Sequence, residues 1–169
     1  LRTDPLYQYQ WHLNNTGQKN FATNGGTSGA DLNVDSVIVS GITGSGVKVN
    51  VVDDGLEIAH EDLVDNIVAN GSYDFLGDDN DPTRSANDGD HGTSVAGIIA
   101  SKGWNNKGGR GVAPNAELIG FNFLEASSTS NETISLYSSS LVAGVDIFNM
   151  SYGASPNNQF GPTNLYNSP

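Results

Sequence analysis

The valine-rich run VNVV at 49–52 ends on two adjacent carboxylates, Asp53 and Asp54, and a glycine. Further along, His91 opens the small-residue segment HGTSVAGIIA. A carboxylate at a strand's end can orient an imidazole, fix its tautomer and stabilise its positive form during proton transfer. That chemistry asks for Asp53, or Asp54 if the turn is shifted by one, at the end of one element and His91 at the start of the next. The other two histidines have no such setting. His12 stands beside Trp11 in a polar arm and His60 in an acidic turn, and both are expected at the surface.

The elements that must position these groups follow from pattern. GVKVNVVDDG is β-branched and bounded by glycines, which predicts a strand. HGTSVAGIIASKG predicts a helix of small residues able to pack close to a sheet, AELIGFNF a second strand, ETISLYSSSLVAG an amphipathic helix and VDIFNMSYG a third strand. DLNVDSVIVSG predicts a short helix starting at Asp31 or Asn33 and stopped by Gly41. Residues 1–30 are polar and glycine-rich and read as a surface arm, pinned to the 31–169 core by Tyr7, Tyr9 and Trp11. Strands alternating with helices predict an α/β fold with a mainly parallel, twisted sheet. Function in such sheets sits at the carboxyl ends of the strands. DDG at 53–55, the loop after Phe123 and SYG at 151–153 fall there. No glycine loop follows the first strand, which argues against a nucleotide binder.

At 169 residues one domain is expected. No stretch approaches the roughly 18 apolar residues of a membrane span, and the opening LRTDPLYQYQW reads as a mature or processed end rather than a signal peptide. With no cysteine, thiol catalysis, disulfides and cysteine metal sites are excluded. A net charge of −12 argues against nucleic acid or an anionic membrane as partner. Twelve of the nineteen acids lie between residues 53 and 90, where Arg84 is the sole fixed positive charge. Solvation, cation binding and attraction of a basic substrate all remain open on composition alone. The stretch YDFLGDDNDP offers Asp74, Asp79 and Asp81 to a cation, while Asp65 and Asp78 read as solvated.

The segments VVDDGLEIAHEDL, DHGTSVAGIIA, GVAPNAELIGFNFL and NMSYG resemble, in order and spacing, the subtilisin-like serine proteases. DDG, TDPLYQYQWHL and DLNV…GITGSGV bring the chain nearer to the kexin and furin branch. The resemblance implies a three-layer α/β/α, subtilisin-like fold, of which residues 1–169 are the amino-terminal portion. It makes Asp53 the orienting carboxylate and His91 the general base. The serine nucleophile and the oxyanion asparagine are expected beyond Pro169, so this portion alone is expected to be inactive. Ser94 is then a packing residue of the histidine helix, and Asn149 a strand residue.

The same resemblance places Asp54 and Asp88 against the substrate residue preceding the cleaved one, which favours Lys or Arg there. It lines the pocket for the cleaved residue with Ser151, Tyr152 and Gly153, with Tyr152 where kexin relatives carry tryptophan. Ser155 and Pro156 stand where that branch has an aspartate, which argues against one pocket-side calcium site. A main Ca2+ site is implied, with side-chain oxygens from Asp4, Asp62 and Asn105 and carbonyls from Lys102, Lys107 and Gly109. Asp90, beside the histidine, is expected to raise the His91 pKa. The implied whole is a secreted endopeptidase, extracellular or in transit through a periplasm. Its partners would be peptide or protein substrates with basic residues and a propeptide or chaperone. The competing reading is a noncatalytic calcium-binding module that kept the fold and lost the serine half.

Overall fold

The computed structural model describes residues 3–84, 89–124 and 144–153. In chain order these hold a 3-10 turn at Tyr7–Tyr9, helix α1 (Asp35–Val39), strand β1 (Lys48–Asp53) and a second 3-10 turn at Val64–Asn66. Strand β2 (Tyr73–Asp74), helix α2 (His91–Ala100), strand β3 (Glu117–Asn122) and strand β4 (Ile147–Asn149) follow. The strands form one sheet in the order β2-β3-β1-β4. All three pairings are parallel, and the β1–β3 register sets Asp53 opposite Asn122.

β1 is central, and every residue after Lys48 is buried. Covered on both faces, the strand buries Val49, Val51 and Val52 together with the polar Asn50 and Asp53, which is why burial along it does not alternate. Val49 and Val51 pack with Leu56, Leu63, Ala96, Ala100 and Leu118 on the α2 side. Val52 packs with Ile119, Phe121, Phe75 and Phe148 on the other. The amphipathic helix expected from ETISLYSSSLVAG lies outside the described residues.

α2 meets the sheet through Gly92, Ala96 and Ala100, one residue per helical turn, all buried. Ser94 is exposed, contrary to its expected packing role. Two residues from Gly92 on a 3.6-residue helix, it lies nearly opposite the buried stripe. The approach at Gly92 leaves no room for a side chain. A Cβ there would lie 2.0 Å from the Gly55 carbonyl oxygen and 2.9 Å from Asp53 Cβ. Gly55 itself has φ +129°, open only to glycine, and its amide neighbour Leu56 donates to the Pro82 carbonyl at 3.0 Å. Gly92→Ala is therefore expected to push α2 off β1 and to destabilise by about 1–3 kcal/mol, the usual range for overpacking. Thermal unfolding measures the cost. The His91 imidazole resonance, expected to lose its Asp53 partner, measures the displacement.

α1 starts later than its sequence suggests. Asn33 has φ +55°, which no right-handed helix accommodates. The Asp31 carboxylate instead accepts from the amides of Asn15 and Asn33, both at 2.9 Å. The helix stops as expected, with Gly41 at φ +90° and its amide donating to the Ile38 carbonyl.

The arm is more deeply embedded than composition implies. Asp4, Tyr7, Leu13 and Asn15 are buried, whereas Trp11 is 59% exposed and does not pin it. The Tyr7 hydroxyl donates to Asp35 at 2.8 Å. Gln10 exchanges two 2.8 Å hydrogen bonds with the Arg110 backbone. Arg110 is the clamp: its guanidinium reaches Asp4 Oδ2 at 2.8 and 3.0 Å and lies 4.4 Å from the Tyr7 ring centre and 4.6 Å from that of Trp104. Such stacking suits a planar cation.

Candidate active site

β1 ends on Asp53, and α2 begins on His91. Asp53 is fully buried, while the His91 side chain is 56% exposed. Their atoms Oδ1 and Nδ1 lie 2.8 Å apart. The same Oδ1 accepts the Asp54 amide at 2.8 Å, so the carboxylate is held by its own turn. Its other oxygen, Oδ2, is buried and has no partner among the described residues. A carboxylate only accepts, so the imidazole hydrogen sits on Nδ1 and Nε2 is left as the basic nitrogen. The hydrogen bond to Asp53 raises the His91 pKa most, followed by the Asp53 charge; desolvation opposes them, and the charges of Asp54 and Asp90 add smaller increases. Asp90 thus acts in the expected direction, as the last of these influences.

Asp54 does not touch the imidazole. Its carboxylate turns to the start of α2, taking the Gly92 amide on Oδ1 at 2.8 Å and the His91 amide on Oδ2 at 3.3 Å. Asp90, which precedes the helix, makes no side-chain cap, so Asp54 caps the helix from another element. Oδ2 also pairs with Arg84 Nη1 at 3.3 Å, with both side chains about 15% exposed or less. Neither contact is visible as a local motif. The available signal was Arg84 standing alone among the acids.

β4 follows β1 on the side away from β3 and delivers Ser151, Tyr152 and Gly153, all exposed, at the carboxyl end of the sheet. Ser151 Oγ donates to Asn149 Oδ1 at 2.7 Å. Asp88, Ser155 and Pro156 lie outside the described residues. His12 and His60 are half-buried rather than at the surface. Burial lowers the His12 pKa, and His60 Nδ1 accepts the Asp62 amide at 3.1 Å.

Of the residues expected to hold a cation, Asp4, Asp62, Asn105, Lys107 and Gly109 come together. Asp4 Oδ1 accepts the Asn105 amide at 3.1 Å, and Asp62 takes Asn105 Nδ2 at 2.7 Å and the Gly109 amide at 3.2 Å. Lys107 donates its amide to Asn105 Oδ1, and Lys102 its amide to the Asp62 carbonyl. The Lys102 ammonium turns away to Asn66 and Asn115. Asp4 and Asp62 are both buried. Burial first, and the nearby Asp4 charge, raise the Asp62 pKa against the lowering effect of its hydrogen bonds. Arg110 compensates Asp4 but not Asp62, so the donor chemistry fits a hard, oxygen-seeking cation.

Asp74, Asp79 and Asp81 behave differently. Each accepts an amide two residues on, from Leu76, Asp81 and Thr83 respectively. Asp79 and Asp81 are exposed. Among the described residues no three acidic or imidazole side chains gather as a metal-holding group, here or around Asp4 and Asp62, where amide and carbonyl oxygens would have to complete the set. These acids build turns, and we place no second ion on them. Asp65 is exposed as expected, while Asp78 accepts the Tyr73 hydroxyl.

A parallel sheet that presents a buried aspartate and a helix-borne histidine at its carboxyl edge defines a class. The Subtilase family profile matches residues 44–167, and the chain belongs to that family. Among curated relatives, an extracellular serine protease of Aeromonas sobria is 45% identical over 155 residues, covering 90% of this chain and 24% of that protein. Kexin of Saccharomyces cerevisiae is 38% identical over 167 residues, covering 96% and 19%. The crystal structure of the Aeromonas sobria serine protease matches with a TM-score of 0.84 at 42% identity, over 90% of this chain and 26% of that one. A second structure shows that protease in complex with a chaperone, also at 0.84, with 40% identity over 93% and 28%. The chain thus spans about a quarter of the Aeromonas sobria protease. Among the described residues no helix is long and apolar enough to cross a membrane.

Proposed function

We propose that this chain is the aspartate- and histidine-bearing part of a secreted, kexin-like serine endopeptidase that cleaves after basic residues, best after a dibasic pair. The observation that carries the reading is the 2.8 Å contact between buried Asp53 and exposed His91. His91 Nε2 takes the proton of a serine hydroxyl supplied outside the described residues. That oxygen attacks the peptide carbonyl, and Nε2 returns the proton to the leaving amine. Asp53 holds the tautomer and stabilises the imidazolium. Asp54, and Asp88 three residues before the histidine in sequence, would favour a basic side chain in the residue preceding the cleaved one. Kexin among the relatives supports that selectivity, and the chaperone complex of the Aeromonas protease supports a folding partner. A preformed Asp–His pair has no use in a noncatalytic module, which disfavours that alternative. The full-length protein should hydrolyse Lys-Arg peptides after arginine and be labelled at serine by a fluorophosphonate. Cleavage only after apolar residues would overturn the specificity, and absence of any hydrolysis would overturn the enzyme.

Asp4, Asp62 and Asn105, with carbonyls from Lys102, Lys107 and Gly109, would hold Ca2+ as a structural ion that neutralises the buried Asp62. Calcium is expected to raise the unfolding temperature of the full-length protein, and a chelator to lower it. Asp62→Asn is expected to abolish most of that difference, as read by calorimetry with and without the ion.

A further inference from the structure

Asp54 carries two kinds of contact that differ in how easily they can be exchanged. The Gly92 and His91 amides are fixed by the helix they begin, at 2.8 and 3.3 Å from the carboxylate. Arg84 reaches the carboxylate with the end of a long side chain, its Nη1 at 3.3 Å from Oδ2. It crosses Gly55 and Gly89 to reach that position: Cβ atoms built on those glycines would lie 2.8 Å from Arg84 Cγ and 3.4 Å from Nη1. A carboxylate offers about four acceptor sites. Two are taken by the helix and a third by the only fixed cation in the surrounding acidic stretch. The charge-bearing face of Asp54 is therefore already occupied by a basic side chain of the protein itself, immediately beside the histidine.

We propose that Arg84 is a specificity-determining residue: it sits on Asp54 where a substrate's Lys or Arg would, so a basic substrate side chain must share this carboxylate with it or displace it. The inference rests on the reading of the site as a protease cleft for basic sequences. Arg84 sets how strongly that cleft discriminates, because the substrate cation exchanges with an internal one instead of meeting a bare carboxylate. Neutral side chains are spared that exchange, so the wild-type preference for a basic residue at this position is muted. Desolvation of the pair makes the competition larger than between surface charges.

The test compares Lys-Arg with Ala-Arg peptides in the full-length protein. In Arg84→Gln the ratio of their kcat/KM values is expected to rise by roughly fivefold to tenfold, the scale of a partly desolvated charge pair. Arg84→Lys, which keeps a cation there, should stay near the wild type. Arg84→Gln in an Asp54→Asn background should leave the ratio where Asp54→Asn alone puts it. An unchanged or lowered ratio in Arg84→Gln, with the wild type still cleaving basic peptides, overturns the proposal and leaves the protease reading intact. A wild type that cleaves no basic peptide overturns the reading beneath it. Titration of the His91 imidazole by NMR needs no turnover. Its midpoint should move up in Arg84→Gln and by clearly less when Asp54 is also asparagine. No movement would mean that Arg84 does not hold Asp54 in solution, and the proposal falls.

Discussion

Replacing His91 with alanine in the full-length protein is expected to lower kcat/KM by about 10⁴-fold or more. The loss follows from geometry. Nδ1 is spent on Asp53 at 2.8 Å, so Nε2 is the only nitrogen of that ring free to move the proton. Alanine removes the base outright, yet the small-residue stripe that seats α2 begins one residue later, so folding is expected to survive. Asp53→Asn should come close to the same loss with the imidazole still present, because an amide can turn its NH₂ to Nδ1 and reverse the tautomer. The pH profile separates the two effects. The base must be unprotonated to act, and Asp53 raises the His91 pKa above its ordinary 6.5, so the acid limb of kcat/KM should lie above that value. Removing the main cause of the rise in Asp53→Asn should bring the limb down. Turnover retained by His91→Ala would remove this residue from the mechanism.

The second large effect concerns stability. Arg110 donates from Nε and Nη2 to a single Asp4 oxygen, Oδ2, with side chains 3% and 0% exposed. Arg110→Ala leaves a buried carboxylate without its partner and empties the space between Tyr7 and Trp104. The expected cost is about 3–5 kcal/mol, the scale seen when one member of a buried pair is lost. Arg110→Lys should recover only part of it, because an ammonium makes neither the fork nor the stacking. A double change, Asp4→Leu with Arg110→Met, should cost less than the single Arg110→Ala, since no charge is then left buried. Denaturant unfolding in the presence of chelator measures all three without contribution from a bound cation. A cost below about 1 kcal/mol for Arg110→Ala would show that the clamp is not held in solution.

What was legible in the amino acids was local and periodic. β1, β3 and α2 were readable from β-branched runs, bounding glycines and a small-residue helix; the choice of Asp53 over Asp54 as the partner of His91 came from the resemblance to the subtilisin-like proteases. The residues that misled were those whose partners are distant. Asp31 looks like a helix cap but spends its carboxylate on Asn15 and Asn33. Trp11 looks like an anchor, yet the anchoring is done by Tyr7 and Arg110, which lie far apart in the sequence. Asp54 reads as one more acid in an acidic stretch, and its duty as the cap of α2 depends on how the strand and helix are packed. β2, two residues long, has no periodicity to detect and exists because β3 offers it an edge. Acids such as Asp79 and Asp81 are ambiguous by type, and their order in space decides between a turn and an ion site.

Two contacts close loops of very different length. Asp53 meets His91 across 38 residues, while Asp4 meets Arg110 across 106. Closing the longer loop costs about 0.9 kcal/mol more in chain entropy, since each doubling adds about 0.6 kcal/mol. The Asp53–His91 pair thus carries the smaller closure cost and the leading segment the larger. Gentle warming is expected to release the leading segment first, read by hydrogen exchange at its amides, with the Asp53–His91 contact still in place.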